Sequence, residues 1–161
     1  MRQGTQKIVF FDFITHFGGA QRSTTQLCGE LQKFYKVEIL DAYGSCGKYL
    51  TAVEQQGVPI YTLLAGARKQ HIGYKRNLIL RIKSFLEQLP ELLRVRKALV
   101  NKIYDIKPNV ILTNSPKALL LLASHQVIRK FTIVFYARGW YLKSQHSFFQ
   151  RLLVKKITDG I

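Results

Sequence analysis

Acidic residues are scarce in this sequence: nine Asp and Glu stand against 25 Lys and Arg over 161 residues, a formal net charge of +16. So one-sided a balance excludes an ordinary mixed surface and points to an anionic partner, whether nucleic acid, an anionic membrane surface or a phosphorylated ligand. Cysteine is nearly absent. Cys28 and Cys46 are the only two, and their spacing fits neither a CxxC redox pair nor a zinc site, so two free thiols in a reducing compartment are expected. Long apolar runs are missing as well. Residues 8–13 are apolar but interrupted by Asp12 and too short for a signal-peptide core, and residues 118–123 fall far below the ~20 residues of a membrane span. The expectation is a cytoplasmic protein that touches a membrane only from its surface, peripheral to the inner face of the plasma membrane.

What is present is enough apolar material for a core: 47% of residues are hydrophobic in a length that suits one domain. Residues 7–13 (KIVFFDF) read as a strand by their β-branched and aromatic content, and Gly18-Gly19 ends it. Ala20, Thr24, Leu27, Leu31 and Phe34 then recur at helical spacing, with Cys28 on the same stripe. Residues 36–42 (KVEILDA) read as a second strand, 48–56 as a short helix stopped by Gly57, and 58–64 as a third strand with Pro59 at its start.

After a basic glycine-containing loop, residues 66–74, comes the longest periodic stretch, residues 76–104. Leu78, Ile82, Phe85, Leu89, Leu92, Leu99 and Ile103 share one face there, and Pro90 is expected to kink or restart the helix. Residues 110–113 form a short buried strand, Ser115-Pro116 opens another helix, and 131–136 is a fifth strand. A last helix is expected over 144–156, with a further strand beginning at 157–161. Alternating strands and helices imply right-handed crossovers and an α/β, Rossmann-like, doubly wound and mostly parallel sheet in a single domain. The strand that begins at 157 with nothing after it reads as truncation at a domain edge.

Ligands of such sheets bind beyond the carboxyl ends of the strands. The loops there supply Gly18, Gly19, Gly44, Gly47 and Gly139 for close backbone approach, Lys48, Arg68, Lys69 and Arg138 for charge, and His16, Asn114 and Ser115 for hydrogen bonding. This is the composition of a site for a phosphorylated ligand, with helix N-terminal amides to help. Gly18-Gly19 lacks the GxGxxG spacing, which argues against a dinucleotide-dependent dehydrogenase. Residues 44–48 (GSCGK) have two residues between the glycines where a P-loop has four, and Tyr49 stands where Ser or Thr would hold magnesium, so an NTPase is rejected. No histidines stand at metal-ligand spacing, no metal or cofactor is expected, and Ser115 has no GxSxG context.

The long helix carries Arg76, Lys83, Arg94 and Lys97 largely off its apolar face, with only Glu87, Glu91 and Asp105 to compensate. With Tyr74 and Tyr104 at its flanks, a basic amphipathic helix of this kind fits attachment to an anionic membrane; a solvated helix back is the plain alternative. Nucleic acid is disfavoured because the aromatics are spread through strands and no DNA- or RNA-binding signature occurs.

The strand KIVFFDF followed by GGAQR (residues 18–22) and an amphipathic helix resembles the GGAER-type opening of family-4-like glycosyltransferases of the GT-B architecture. DIKPNVILTNSPKA (105–118) resembles that family's fourth strand and its exit, and IVFYARGWY (133–141) its fifth strand and an HG-like loop. The resemblance implies the N-terminal, acceptor-side half of a two-domain enzyme whose C-terminal domain is absent here. Its reaction would be transfer from a nucleotide-diphosphate sugar to a hydroxyl acceptor, glycan or lipid-linked, as in carbohydrate or cell-envelope polysaccharide biosynthesis. It also implies that no metal is required and that the amides of Gly18 and Gly19 approach the donor diphosphate; His16, Asn114, Ser115, Arg138 and Gly139, in the loops at the strand ends, are expected to contact acceptor or phosphate. Arg138 stands where many members carry His; arginine cannot serve as a neutral acid or base but can clamp phosphate. The alternative is a non-catalytic module docking on an anionic membrane or on a separate catalytic subunit.

Overall fold

The computed structural model describes residues 6–66, 78–123 and 125–136, with side chains left undescribed for 78–85 and 125–126. Its elements run β1 (Lys7–Asp12), α1 (Gly19–Gln32), β2 (Lys36–Asp41), α2 (Gly47–Gln55), β3 (Ile60–Thr62), α3 (Leu78–Ile106), β4 (Val110–Thr113), α4 (Pro116–Leu122), α5 (His125–Ile128) and β5 (Thr132–Phe135). All strand pairs are parallel and the spatial order is β3-β2-β1-β4-β5. The order runs backwards from β1 to β3 and forwards from β4 to β5, so the chain reverses direction across the sheet between β1 and β4. The expected α/β, Rossmann-like parallel sheet is therefore present. The helix expected over 144–156 and the strand beginning at 157 lie outside the described residues.

The two-residue period of the strands builds two cores. Ile8, Phe10, Val37 and Ile39 turn to one face and pack with Cys28 of α1, Tyr49 and Val53 of α2, and Val58. Val9, Phe11, Leu40 and Ile111 turn to the other and pack with Leu92, Val95, Leu99 and Ile103 of α3, Leu121 and Leu122 of α4, and Phe131. Because β1 and β2 are covered on both faces, they read as nearly continuous apolar runs. At the amino end of the central strand Lys7 fastens the end of α3: its ammonium donates to the Ile106 carbonyl at 3.0 Å, and its amide to Asn109 Oδ1 at 2.8 Å. A cation on the last carbonyls of a helix satisfies acceptors that have no intrahelical donor.

Several expectations need correction. Of the stripe expected on α1, Thr24 and Cys28 are buried, but Leu27 and Phe34 are 37% and 75% exposed, and Thr25, not on the stripe, is buried with them. The threonines tolerate burial because their hydroxyls donate back to the carbonyls of Ala20 (3.1 Å) and Gln21 (3.0 Å), and Phe34 lies beyond the helix end. The third strand is shorter than 58–64. Pro59 has no N–H to give, and after Thr62 pairing continues only as single bonds from Leu63 to Asp41 and from Leu64 to Ala42. Pro90 does not restart the helix. A single helix runs across it, with Pro90 on the exposed side, where a carbonyl freed from the ladder meets water. Tyr104 is not a free surface flank either, because its ring packs edge-on against Phe131 with centroids 5.6 Å apart. Tyr74 lies outside the described residues.

Candidate functional site at the switch between β1 and β4

Open parallel sheets bind ligands in the crevice beyond the carboxyl ends of the strands where strand order reverses, which here falls between β1 and β4, among the loops that follow β1, β2 and β4. Its architecture depends on an acid that composition and motif reasoning passed over. Asp41, the last residue of β2, is fully buried, and its carboxylate accepts the amides of Ile14 (3.2 Å), Tyr43 (3.4 Å) and Gly44 (3.0 Å). Ser45 adds a bond from its hydroxyl to the Ile14 carbonyl at 3.2 Å. The loop after β1 is thereby tied to the loop after β2. Burial raises the Asp41 carboxyl above its ordinary value, opposed by the amides that favour its ionised form. In dinucleotide-binding sheets an acid near this position holds a ribose hydroxyl; Asp41 is turned inward on backbone, which agrees with the absence of the GxGxxG spacing.

Gly44 has a structural reason to be glycine. Its φ is +60°, and a Cβ there would run into Thr62. Gly18 and Gly19 have no such reason. Gly18 is extended (φ −115°, ψ −167°), and a Cβ on it would meet only Gln21 and His16 at ordinary contact distance. A Cβ on Gly19 would have nothing within 4 Å. The Gly18 amide is taken by Gln21 Oε1 at 3.1 Å, and the first turn of α1 has no side-chain cap on its amides and no acidic side chain.

His16 is exposed beside this opening, with Nδ1 3.4 Å from Thr15 Oγ1. Asn114 and Ser115 stand half-buried after β4, on the neighbouring lip. Ser115 caps α4: its Oγ accepts the Ala118 amide at 3.4 Å. Arg94 and Lys97 are both exposed on the outer face of α3, away from these loops. Arg76, Arg138 and Gly139 lie outside the described residues, and so does the Lys83 side chain. Among the described residues no group of three or more His, Cys, Asp or Glu is placed to hold a metal ion, and no helix is long and apolar enough to cross a membrane.

A second group that sequence reasoning did not single out is Lys117, from the first turn of α4. Its ammonium lies 4.3 Å from the centre of the Phe13 ring and 5.8 Å from that of Tyr43, which stack edge-on at 5.5 Å. Burial lowers the Lys117 pKa, and the charge of Glu91 partly offsets this. Burial, followed by a hydrogen bond to Glu91, pushes the Tyr43 phenol above its ordinary range. The one sequence signal was a lysine directly after a proline that opens a helix at a strand exit.

No family model matches the chain, and no curated protein matches it. Solved structures do. Anabaena HepE in complex with UDP and glucose superposes with a TM-score of 0.60 at 18% identity, over 97% of this chain and 36% of that one. The calicheamicin glycosyltransferase gives 0.57 at 13% identity, over 97% and 38%. Acinetobacter baumannii MurG gives 0.55 at 12%, over 94% and 39%. The chain thus spans a little over a third of the length of these proteins. Its fold is the Rossmann-like domain fold found in glycosyltransferases of the GT-B architecture.

Proposed function

We propose that this chain (residues 1–161) is the N-terminal, acceptor-side domain of a family-4-like glycosyltransferase. The intact enzyme would move a sugar from a nucleotide-diphosphate sugar to a hydroxyl acceptor, glycan or lipid-linked, with a second Rossmann-like domain holding most of the donor. One observation carries the reading: Gly18-Gly19 opens α1 at the strand-order reversal, and nothing among the described residues requires glycine there. HepE, which shares the fold, has been solved with UDP-glucose.

In this reading the Gly19 amide and the first turn of α1 face the donor diphosphate. Amides held in place before reaction stabilise the negative charge that builds on the departing nucleoside diphosphate. The bond between Gln21 and the Gly18 amide sets the direction of that turn. His16 on one lip and Asn114 and Ser115 on the other supply hydrogen bonds to acceptor hydroxyls, with Arg138 and Gly139 contacting acceptor or phosphate from the loop after β5. No metal or other cofactor is assigned a role.

The test is transfer by the protein that carries this domain together with its partner domain, assayed over a panel of nucleotide-diphosphate sugars. Gly19→Val places a branched side chain over the α1 amides, and turnover should fall by about 10²-fold, the scale of losing one preorganised donor. Unchanged turnover removes the diphosphate assignment.

A membrane-surface acceptor is the second part of the reading, and an observation on α3 favours it. Leu86 and Leu93 are 58% and 52% exposed one above the other on its outer face, alongside exposed Arg94, Arg96 and Lys97. Leucines rimmed by cations suit the boundary between headgroups and acyl chains of an anionic leaflet. In this reading the enzyme works at the cytoplasmic face of a membrane, and the exposed leucines and cations of α3 support it. The non-catalytic alternative, a module docked on such a surface, predicts the same attachment without transfer.

A further inference from the structure

The Lys117 cluster has a feature that packing alone leaves unused. Among the described residues three ion pairs occur, Lys33–Glu30, Lys36–Glu38 and Lys102–Asp105, and Lys117 takes part in none. Its ammonium also makes no hydrogen bond to any described residue and is held in place by the ring faces of Phe13 and Tyr43. A cation over an aromatic face keeps its N–H donors available for an acceptor on the far side. Glu91 is the nearby acid: its charge favours the ammonium, but it forms no ion pair with Lys117.

Position adds to this. Phe13 directly follows β1 and Lys117 follows β4, so the side chain reaches across the gap where strand order reverses, between the two lips of the crevice. Beside it, the Ser115 oxygen has spent a lone pair on the Ala118 amide, which leaves the hydroxyl proton to donate outward.

We propose that Lys117, steadied by Phe13 and Tyr43 and assisted by the Ser115 hydroxyl, forms a phosphate subsite in the crevice. A compact ammonium suits a tetrahedral phosphate, whereas a planar carboxylate is better matched by a guanidinium fork. Assigning that phosphate to the acceptor rests on the glycosyltransferase reading above and narrows it to phosphorylated acceptors. Phosphate binding itself does not depend on that reading.

The experiment is backbone amide NMR on the 161-residue chain, titrated with glycerol 3-phosphate at constant ionic strength. A parallel titration uses phosphatidylcholine vesicles with and without phosphatidate. Saturable shifts are expected at Ser115, Lys117 and Ala118. Lys117→Met keeps the apolar stem over the rings, and binding should weaken by about tenfold or more, the value of one charge-assisted bond; Lys117→Arg should retain most of it. Response to the soluble ester assigns the phosphate to a free acceptor, and response to phosphatidate vesicles alone assigns it to a lipid headgroup. Shifts spread over the basic surface, or equal in wild type and Lys117→Met, overturn the subsite. If the Lys117→Met spectrum loses its native dispersion, Lys117→Arg and Ser115→Ala decide: no change from wild type in Ser115→Ala, with no saturation at the amide of position 117 in Lys117→Arg, overturns it as well. That failure leaves the donor-diphosphate reading standing, since the latter is judged by turnover of Gly19→Val.

Discussion

At the scale of single residues, the crevice is held together by a buried carboxylate. Asp41 answers three amides from two loops, so removing it leaves N–H groups without acceptors at a depth water reaches poorly. Asp41→Ala should cost about 2–4 kcal/mol, the sum of a few unsatisfied donors at ~1 kcal/mol or more each, measured by urea unfolding. The pH dependence has a definite sign. The Asp41 carboxyl is raised, so the folded state keeps its proton at pH values where the unfolded chain has released it. The native state then binds more protons than the unfolded state, and this group's contribution to stability, full below about pH 3.9, declines as pH rises through the folded value. The stability difference between wild type and Asp41→Asn should therefore shift against wild type between pH 4 and neutrality. A shift in its favour would mean that the amides outweigh burial. Nothing in the order of residues announced this role: an Asp at a strand end is equally well a solvated turn residue until the loop from β1 folds over it.

At the scale of elements, α3 shows how one helix divides its work. Leu92, Val95, Leu99 and Ile103 recur every three or four residues and bury against the sheet, while Leu86 and Leu93 repeat every seven on the outer face. Leu99→Ala should destabilise by about 2–5 kcal/mol through lost transfer energy and a residual cavity, whereas Leu93→Ala should stay within about 0.5 kcal/mol in thermal or urea melts. Equal effects would mean that the outer leucines are covered by part of this chain. Periodicity identified α3 and, on its inner face, Leu92, Leu99 and Ile103, though not Val95; the side chains of Leu78, Ile82 and Phe85 lie outside those described. On α1 it was right only in part: Thr24 and Cys28 of the expected stripe are buried and Leu31 packs against the core, but Leu27 is exposed and Thr25, whose hydroxyl is satisfied within the helix, was missed.

At the scale of the whole molecule, the dominant quantity is a net charge of +16, which no arrangement of nine acids can neutralise. If the outer face of α3 meets an anionic leaflet, sedimentation with vesicles should rise with their phosphatidylserine content and fall steeply between low and physiological salt. Replacing Leu86 and Leu93 together by Ser should weaken association under all salt conditions, and Arg94→Glu with Lys97→Glu should remove most of its salt dependence. Retention on DNA without vesicle binding would turn the charge toward nucleic acid and count against a membrane acceptor.

The sequence by itself determined the parallel α/β plan, the order of the elements and the location of the glycine pair. Apolar runs covered on both faces, alternating with helical periods, permit few other arrangements, and right-handed crossovers leave one hand. It also determined the excess of cations. Tertiary structure alone decided which polar groups are spent and which are free. Asp41 is spent on three amides and the Gly18 amide on Gln21, while the Lys117 ammonium rests on the Phe13 and Tyr43 rings outside every ion pair among the described residues. The physical reason is that hydrogen bonds and cation–ring contacts here join residues far apart in the chain, such as Asp41 with Ile14 and Lys117 with Phe13. Their partners are set by loop closure over the sheet, which no local pattern encodes.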